Sequence, residues 1–273
     1  MSAMRPPLET AALPADAIEV GRIADAWGIF APVKSKVLET RIPAHLRSPT
    51  WFAFSTRARV IIYNRKQVKP ADVATYESLA DPKLKGLVWS RSGNHPYNLS
   101  LVAGLVAHNG EAKTEQWARG VVANFAMPPR GGDNDQIKSV ATGECGVAVS
   151  NTYYLARFLN SERVEERNLI KRLGIVMPNQ ASYGTHVNVS GAGVIKTSKN
   201  KDAAVRFLEY LASDEAQRYL AEGNNEWPAV PGVKIDNEGL EDLGAFKADT
   251  LPLNVLSSHL VTAQKLLDRA GYR

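Results

Sequence analysis

Short apolar runs of strand length alternate with stretches of helical periodicity, and this alternation restricts the fold more than any other feature of the chain. Residues 59–64 (RVIIYN) form a run rich in β-branched residues, and residues 86–90 (GLVWS) form another. Amphipathic helical patterns cover residues 202–212 and 253–269. Alternating strands and helices of this kind predict an α/β architecture.

Further elements follow from periodicity and from breaker residues. Residues 97–124 predict two helices separated at Asn109–Gly110, and Gly143 ends a helix predicted over residues 134–141. The remaining predictions are a helix over 23–28, a polar loop over 33–47, helical turns over 70–79, a strand over 146–149, strands over 187–190 and 192–195 on either side of Gly191, and a helix over 214–221.

Length and composition exclude several classes of protein. A chain of 273 residues can bury a sizeable core and form one large or two medium domains. The formal net charge is +5 and the lysines and arginines are scattered, so the sequence shows no nucleic-acid-binding patch. No stretch approaches the ~20 apolar residues of a membrane helix. Cys145 is the only cysteine, and its apolar setting predicts a buried, unreactive thiol.

Two adjacent tyrosines, Tyr153 and Tyr154, follow the apolar run 146–149, and they are predicted at the turn between a strand and a helix. Tyr97 follows Pro96 and is predicted to open another helix. A free phenol ionises near pH ~10, and a bound trivalent cation lowers that pKa because positive charge favours the anion. The phenolate is a hard oxygen ligand suited to ferric iron. Packing aromatics with their hydroxyls in water are the alternative interpretation.

Sequence motifs of catalysis are absent. The chain contains no GxSxG, GxxxxGK[ST] or HExxH motif. Asp133 and Asp135 are near neighbours, and we interpret them as charges at a helix N-terminus. The sequence therefore predicts a binding protein and not an enzyme.

Six phrases of the sequence carry a resemblance to a known family. They are residues 51–60 (WFAFSTRARV), 62–64 (IYN), 97–101 (YNLSL), 151–157 (NTYYLAR), 184–191 (GTHVNVSG) and 222–226 (EGNNE). Through them, the chain from about residue 13 onward resembles the periplasmic ferric-iron-binding proteins of bacterial ABC importers, in the subgroup that uses several tyrosines.

The resemblance implies a set of ligands. Tyr97, Tyr153 and Tyr154 match the positions that bind Fe(III) in the family, and three phenolates neutralise the trivalent ion, which is costly to bury as a bare charge. Arg59, with Arg57 as the second choice, is predicted to hold a synergistic anion such as carbonate, because a planar guanidinium fork suits an oxyanion. An ordinary ion pair is the alternative for either arginine.

Four further residues are predicted around these ligands. Asn151, Thr152 and Asn188 are expected to form hydrogen bonds that orient the ligands. The family uses the position of His186 structurally, and direct ligation of the metal by its imidazole is the alternative.

The resemblance also implies the two-lobed fold of type II solute-binding proteins. Residues 13–59 and 184–234 are expected in the first lobe, and residues 60–183 and 235–273 in the second. Residues before about 13 match nothing in the family and show no recognisable secretory signal, so the first lobe is expected to be incomplete, with all three tyrosines in the second lobe.

The implied role is that of a ferric-iron-binding component of an ABC importer. Such a protein works in the periplasm, is expected to be a monomer, closes over Fe(III) between its lobes and passes the ion to the membrane permease. Three alternatives stay open: a solute-binding protein for an organic ligand such as thiamine or a polyamine, a transferase or hydrolase on the same fold, and a truncated copy without function.

Overall fold

The computed structural model describes residues 15–16 and 28–273. The helix predicted over residues 23–28 therefore lies outside the described residues, except for Gly28. None of the helices in residues 28–273 is both long and apolar enough to cross a membrane.

Strands and helices alternate along the described chain. The strands are β1 (Ala15–Asp16), β2 (Phe30–Ala31), β3 (Phe52–Asn64), β4 (Val88–Trp89), β5 (Val147–Asn151), β6 (Leu173–Val176), β7 (Val187–Ala192), β8 (Val194–Ile195) and β9 (Trp227–Pro228). The α-helices are α1 (Lys36–Arg41), α2 (Pro96–Asn109), α3 (Glu111–Ala123), α4 (Asp133–Thr142), α5 (Thr152–Leu159), α6 (Val164–Ile170), α7 (Lys201–Leu211), α8 (Asp214–Asn224), α9 (Glu238–Glu241) and α10 (Leu253–Ala270).

The sheet is built on β3. The 13 residues of this strand pair antiparallel with β7 over residues 52–58, and with β5 and β6 over residues 59–64. β4 lies parallel to β5, while β1 pairs with β7, and β9 pairs with β3. A single long strand thus joins two parts of the sheet, and the predicted α/β class is confirmed.

The second half of β3 is buried on both faces. Ile61 and Tyr63 lie in a core shared with α2, α3 and α10, whereas Val60 and Ile62 lie in a second core with α4, α5 and α6. Successive side chains of a strand point to opposite faces. The continuous apolar run is therefore what a strand covered by helices on both sides requires.

β3 begins at Phe52 and not at Arg59, so the predicted strand is too short. The part of the strand that was not predicted carries Arg57. The side chains of Arg57 and Arg59 are both only 2% exposed. Each forms an ion pair, Arg57 with Glu226 and Arg59 with Asp133. Charged side chains are buried in a strand only when partners neutralise them, and these partners are distant in sequence.

Two helical segments also differ from the sequence prediction. The loop predicted over residues 33–47 contains α1, whose start is capped by Ser35: its Oγ accepts a hydrogen bond from the N–H of Leu38 (3.2 Å). Residues 70–79 form short 3₁₀ helices instead of a continuous α-helix. β6 and α6 carry no sequence prediction, because both are too short to show a clear period.

Glycines mark the boundaries that the sequence predicts best. α2 and α3 are separated at Gly110 (φ 81°), and α4 ends at Gly143 (φ 85°), both in backbone conformations that glycine adopts without strain. β7, by contrast, runs through Gly191, and the break falls at Gly193, where a Cβ would lie 2.5 Å from the Thr50 carbonyl oxygen. The predicted amphipathic helices are confirmed as α7, α8 and α10.

Cys145 lies between α4 and β5 and is 1% exposed. Burial raises the pKa of its thiol to about 11. The prediction of a buried thiol is confirmed, and its low thiolate fraction makes it a poor nucleophile.

Alanine substitution at two helical glycines tests the packing around α3. A Cβ at Gly120 would lie 2.7 Å from the Ala80 Cβ, so we expect Gly120→Ala to cost about 1–3 kcal/mol. A Cβ at Gly223, near the end of α8, meets nothing within 4 Å, so we expect Gly223→Ala to keep stability or raise it by up to about 1 kcal/mol. Urea unfolding measures both changes. Equal stabilities of the two variants would contradict the close packing of Gly120 against Ala80.

Candidate metal centre

The hydroxyl oxygens of Tyr97 and Tyr153 are 2.8 Å apart, although the residues are 56 apart in sequence. β4 and β5 are parallel neighbours, so their carboxyl ends lie at the same edge of the sheet. The chain runs from β4 to α2 and from β5 directly into α5, and each tyrosine is the second residue of its helix. The two tyrosines converge because helices that follow parallel strands begin over the same edge.

Tyr153 and Tyr154 lie in the first turn of α5 and not in the turn before it, which corrects the sequence prediction. Thr152 begins the helix, and its Oγ1 accepts a hydrogen bond from the N–H of Ala58 (3.1 Å). This bond ties the start of α5 to β3. The helix can therefore begin directly at the strand end without a connecting loop.

The start of α2 agrees with the sequence prediction. Pro96 is its first residue, and the N–H of Tyr97 donates to Nδ1 of His95 (3.2 Å). The ring of His95 also contacts the ring of Tyr97 edge to face, with centroids 4.5 Å apart. These contacts fix the backbone of Tyr97 and support its ring from the loop side.

Tyr154 completes a chain of three phenols. Its ring lies against that of Tyr153, with centroids 4.2 Å apart and planes tilted by 34°. All three tyrosines are partly exposed. The cluster therefore brings three phenol rings together at one place that solvent and ions can reach.

Burial raises the pKa of Tyr97 and of Tyr153 above the ordinary value of a phenol. The cause is lost solvation of the phenolate, and for Tyr153 the neighbouring hydroxyls of Tyr154 and Tyr97 add to the effect. Both side chains are therefore neutral at neutral pH when no cation is bound. A bound trivalent ion reverses this balance by strong attraction for the phenolates.

Asp133 holds two arginines beside the cluster, a role that the sequence analysis missed. Its carboxylate is fully buried, with Oδ1 2.7 Å from Arg59 and Oδ2 2.8 Å from Arg91. The guanidinium carbons of these arginines lie 5.4 and 5.1 Å from the ring centre of Tyr97. Asp135 fills the predicted role at the helix N-terminus, since it accepts from the N–H of Gly132 (2.8 Å).

The two arginines predicted to hold an anion form hydrogen bonds inside the protein. Arg59 donates to Oδ1 of Asn98 (3.1 Å) in addition to its ion pair. Arg57 donates to Glu226 (3.3 Å) and to Oγ of Ser190 (2.7 Å). Binding of an anion at either guanidinium stays a prediction.

Asn151 and Asn188 also form internal hydrogen bonds. Oδ1 of Asn151 accepts from Arg59 (3.4 Å), which links the end of β5 to the arginine pair. Oδ1 of Asn188 accepts from the N–H of Val189 (2.9 Å), and Asn188 is paired with Arg57 across β7 and β3. Their action on a metal ligand stays a prediction.

His186 lies in the core and is 3% exposed. Its Nε2 lies 2.7 Å from Oγ of Ser100, one turn after Tyr97 on α2. Burial, together with the charge of Arg59, lowers the pKa of the imidazole to about 3. His186 is therefore neutral and braces α2 behind the cluster. Among the described residues, no group of three or more His, Cys, Asp or Glu side chains is arranged to hold a metal ion.

The structure thus has two sheet parts joined by one long strand, with three tyrosines gathered where β4 and β5 end. The chain belongs to the family described as bacterial extracellular solute-binding proteins, which matches residues 24–247.

Relatives within this family are named for iron. The chain is 46% identical to iron uptake protein A1 of Synechocystis sp. over 272 residues, which cover 97% of this chain and 75% of the relative. It is 31% identical to the major ferric iron-binding protein of Neisseria meningitidis serogroup B over 227 residues, covering 82% of this chain and 65% of the relative.

Solved structures of this family share the fold. The chain is similar to the Trichodesmium protein FutA (IdiA) in complex with iron and citrate, with a TM-score of 0.90 and 45% identity over 97% of this chain and 86% of that one. It is also similar to the ferric binding protein from Campylobacter jejuni, with a TM-score of 0.86 and 38% identity over 97% and 86% of the two chains. The predicted two-lobed fold is confirmed by these similarities.

The neutral state of His186 predicts a specific dependence of stability on pH. The folded protein keeps the imidazole unprotonated down to about pH 3, whereas the unfolded chain binds a proton below about pH 6.5. Protons therefore favour unfolding, and this residue removes up to about 1.4 kcal/mol of stability per pH unit as the pH falls below 6.5. In His186→Gln this contribution is absent. Urea unfolding at pH 7 and pH 5 should show a larger loss of unfolding free energy for the wild type than for His186→Gln. Equal losses in the two proteins would contradict the lowered pKa of His186.

Proposed function

We propose that this protein binds Fe(III) through the phenolate oxygens of Tyr97, Tyr153 and Tyr154 as the solute-binding component of an ABC importer. The observation that carries the proposal is the 2.8 Å contact between the hydroxyls of Tyr97 and Tyr153, with Tyr154 lying against Tyr153. Relatives named for iron uptake and ferric iron binding support it, as does a structural neighbour that holds iron and citrate. The proposal assigns no catalytic step to the protein.

Charge and position make the cluster suitable for a hard trivalent ion. Three phenolates balance the charge of Fe(III), and oxygen donors match its hardness. The tyrosines lie in the first turns of α2 and α5, where the partial positive charge of a helix N-terminus favours an anionic side chain by about 0.3–1 kcal/mol. The metal displaces the phenolic protons, so iron binding weakens as the pH falls.

A small anion completes the coordination of the metal in this proposal. Three phenolates leave positions open on the ion, and carbonate is the anion that we propose to fill them. Arg59 is the first choice to contact that anion, and Arg57 is the second. The N–H groups that bind the anion are shared with the present partner of each arginine, which is Asp133 for Arg59 and Glu226 for Arg57.

The lobe boundaries are proposed as residues 13–59 and 184–234 for the first lobe, and 60–183 and 235–273 for the second. In that division β3 crosses between lobes where its partner changes from β7 to β5 and β6. Ligands bind between the lobes, and closure by hinge motion at such crossing strands retains the ion. The monomer then passes it to the membrane permease in the periplasm.

The contacts around the cluster argue against an organic cation as the solute. Thiamine or a polyamine requires free carboxylates beside aromatic rings. The carboxylate of Asp133 already balances Arg59 and Arg91, the two arginines that lie beside the Tyr97 ring. The guanidinium groups of Arg59 and Arg91 repel an organic cation, because such a cation does not convert the phenols to phenolates that would balance its charge.

Replacing each tyrosine by phenylalanine tests the proposed ligands. Tyr97→Phe, Tyr153→Phe and Tyr154→Phe each remove one phenolate, so we expect Fe(III) affinity to fall by more than the ~10–100-fold typical of residues that only support a ligand. Wild-type protein with iron is expected to show a visible tyrosinate-to-iron charge-transfer band, which weakens or shifts in each variant. Absorption titration against a citrate competitor measures both quantities.

Tyr219→Phe is the matched control, because this tyrosine on α8 is 78% exposed. It should bind iron as the wild type does. Wild-type protein without a charge-transfer band, or three cluster variants with unchanged affinity, would refute iron binding by this cluster.

Closure over the ion predicts a change of shape. Small-angle scattering should give a smaller radius of gyration with Fe(III) than without it, because hinge motion draws the lobes together. Tyr153→Phe, measured at the same iron concentration, should keep the radius of the metal-free protein. Equal radii for the loaded and metal-free wild type would contradict a closing clamp.

A further inference from the structure

Asp133 divides its two carboxylate oxygens between two guanidiniums. Arg59 binds Oδ1 at 2.7 Å and Arg91 binds Oδ2 at 2.8 Å. The side chain of Arg59 is 2% exposed, whereas that of Arg91 is 16% exposed. Arg91 is thus the more exposed arginine of this triad, while its position is fixed by a fully buried anion.

Arg91 contacts the ring of Tyr97. Its guanidinium carbon lies 5.1 Å from the ring centre, within the range of a cation–π contact. The hydroxyls of Tyr97 and Tyr153 are hydrogen bonded, and the ring of Tyr153 lies against that of Tyr154. Support of the Tyr97 ring on α2 therefore extends to the two tyrosines on α5.

The backbone of Arg91 is fixed by the residue that follows Tyr97. Nδ2 of Asn98 donates to the carbonyl oxygens of Arg91 (2.9 Å) and Ser92 (3.0 Å), while its Oδ1 accepts from Arg59. Asn98 is 3% exposed, so these bonds are shielded from water. Both ends of Arg91 are held, and its guanidinium is a rigid support for the cluster.

We propose that Arg91, anchored by Asp133, is a positioning residue that holds Tyr97, and through it the tyrosine cluster, in the arrangement that accepts the metal. The inference rests on the proposed function and adds a residue outside the ligand set. A ligand set that is already ordered loses less side-chain freedom when the ion binds, so its affinity is higher.

The sign of the effect separates positioning from simple electrostatics. A positive charge close to a trivalent ion repels it, so electrostatics alone makes Arg91→Gln bind Fe(III) more tightly. Positioning makes the same variant bind more weakly. Arg91→Lys keeps the charge but has a compact ammonium in place of the planar fork, and it cannot reproduce the geometry that spans Asp133 and the ring of Tyr97. Electrostatics predicts no change for this variant, and positioning predicts a loss.

Fe(III) affinity and the charge-transfer band of wild type, Arg91→Gln, Arg91→Lys and Arg163→Gln test the proposal. Arg163→Gln is the matched control, because it removes one positive charge from a side chain that is 77% exposed. We expect both Arg91 variants to lose about 10–100-fold in affinity. Their bands at saturating iron should be shifted from the wild-type position, while the control keeps the affinity and the band of the wild type.

Three results decide the outcome. Arg91→Gln binding as tightly as the wild type or more tightly, or Arg91→Lys matching the wild type in affinity and band, overturns the positioning role. Circular dichroism checks folding, and if Arg91→Gln does not fold, the comparison of Arg91→Lys with the wild type decides alone. A wild-type protein that shows no iron band refutes the proposed function itself, which is distinct from the failure of this inference.

Discussion

The parallel pairing of β4 with β5 is the contact on which the candidate site depends. Two register pairs, Val88 with Val147 and Trp89 with Ala148, bring the carboxyl ends of the strands to one edge of the sheet. α2 and α5 start over that edge, and each places a tyrosine at its second position. β5 is in turn fixed along residues 147–151 by β3, so the location of the cluster follows from the main core.

Charge then decides what this edge can hold. Asp133 neutralises one of the two guanidinium charges that it holds, and the ring of Tyr97 lies beside both arginines. Without a metal Tyr97 and Tyr153 keep their protons, because burial raises the pKa of each phenol. A cation is therefore accepted only if it is charged strongly enough to displace those protons. That condition fits a hard trivalent ion, for which oxygen ligands are the ones we propose. Among the described residues, no group of three or more His, Cys, Asp or Glu side chains offers another metal site.

The sequence predicts those parts of the structure that local chemistry determines. Glycine boundaries such as Gly110 and Gly143, the amphipathic helices and the α/β class all follow from short-range patterns. The first half of β3 does not, because Arg57 becomes compatible with a buried strand only through a partner 169 residues away. The tyrosines could be named from the resemblance, but their convergence depends on the parallel register of β4 and β5. The ion pair between Arg91 and Asp133 could not be predicted from the sequence either, because the two residues are 42 positions apart and meet only in the folded chain.

A crystal structure of the protein soaked or grown with Fe(III), with anomalous differences measured at the iron absorption edge, tests the central claim most directly. The account predicts one strong anomalous peak within bonding distance of the phenolic oxygens of Tyr97, Tyr153 and Tyr154. A strong peak elsewhere in the molecule, with the hydroxyls of Tyr97 and Tyr153 still hydrogen bonded to each other, would contradict it.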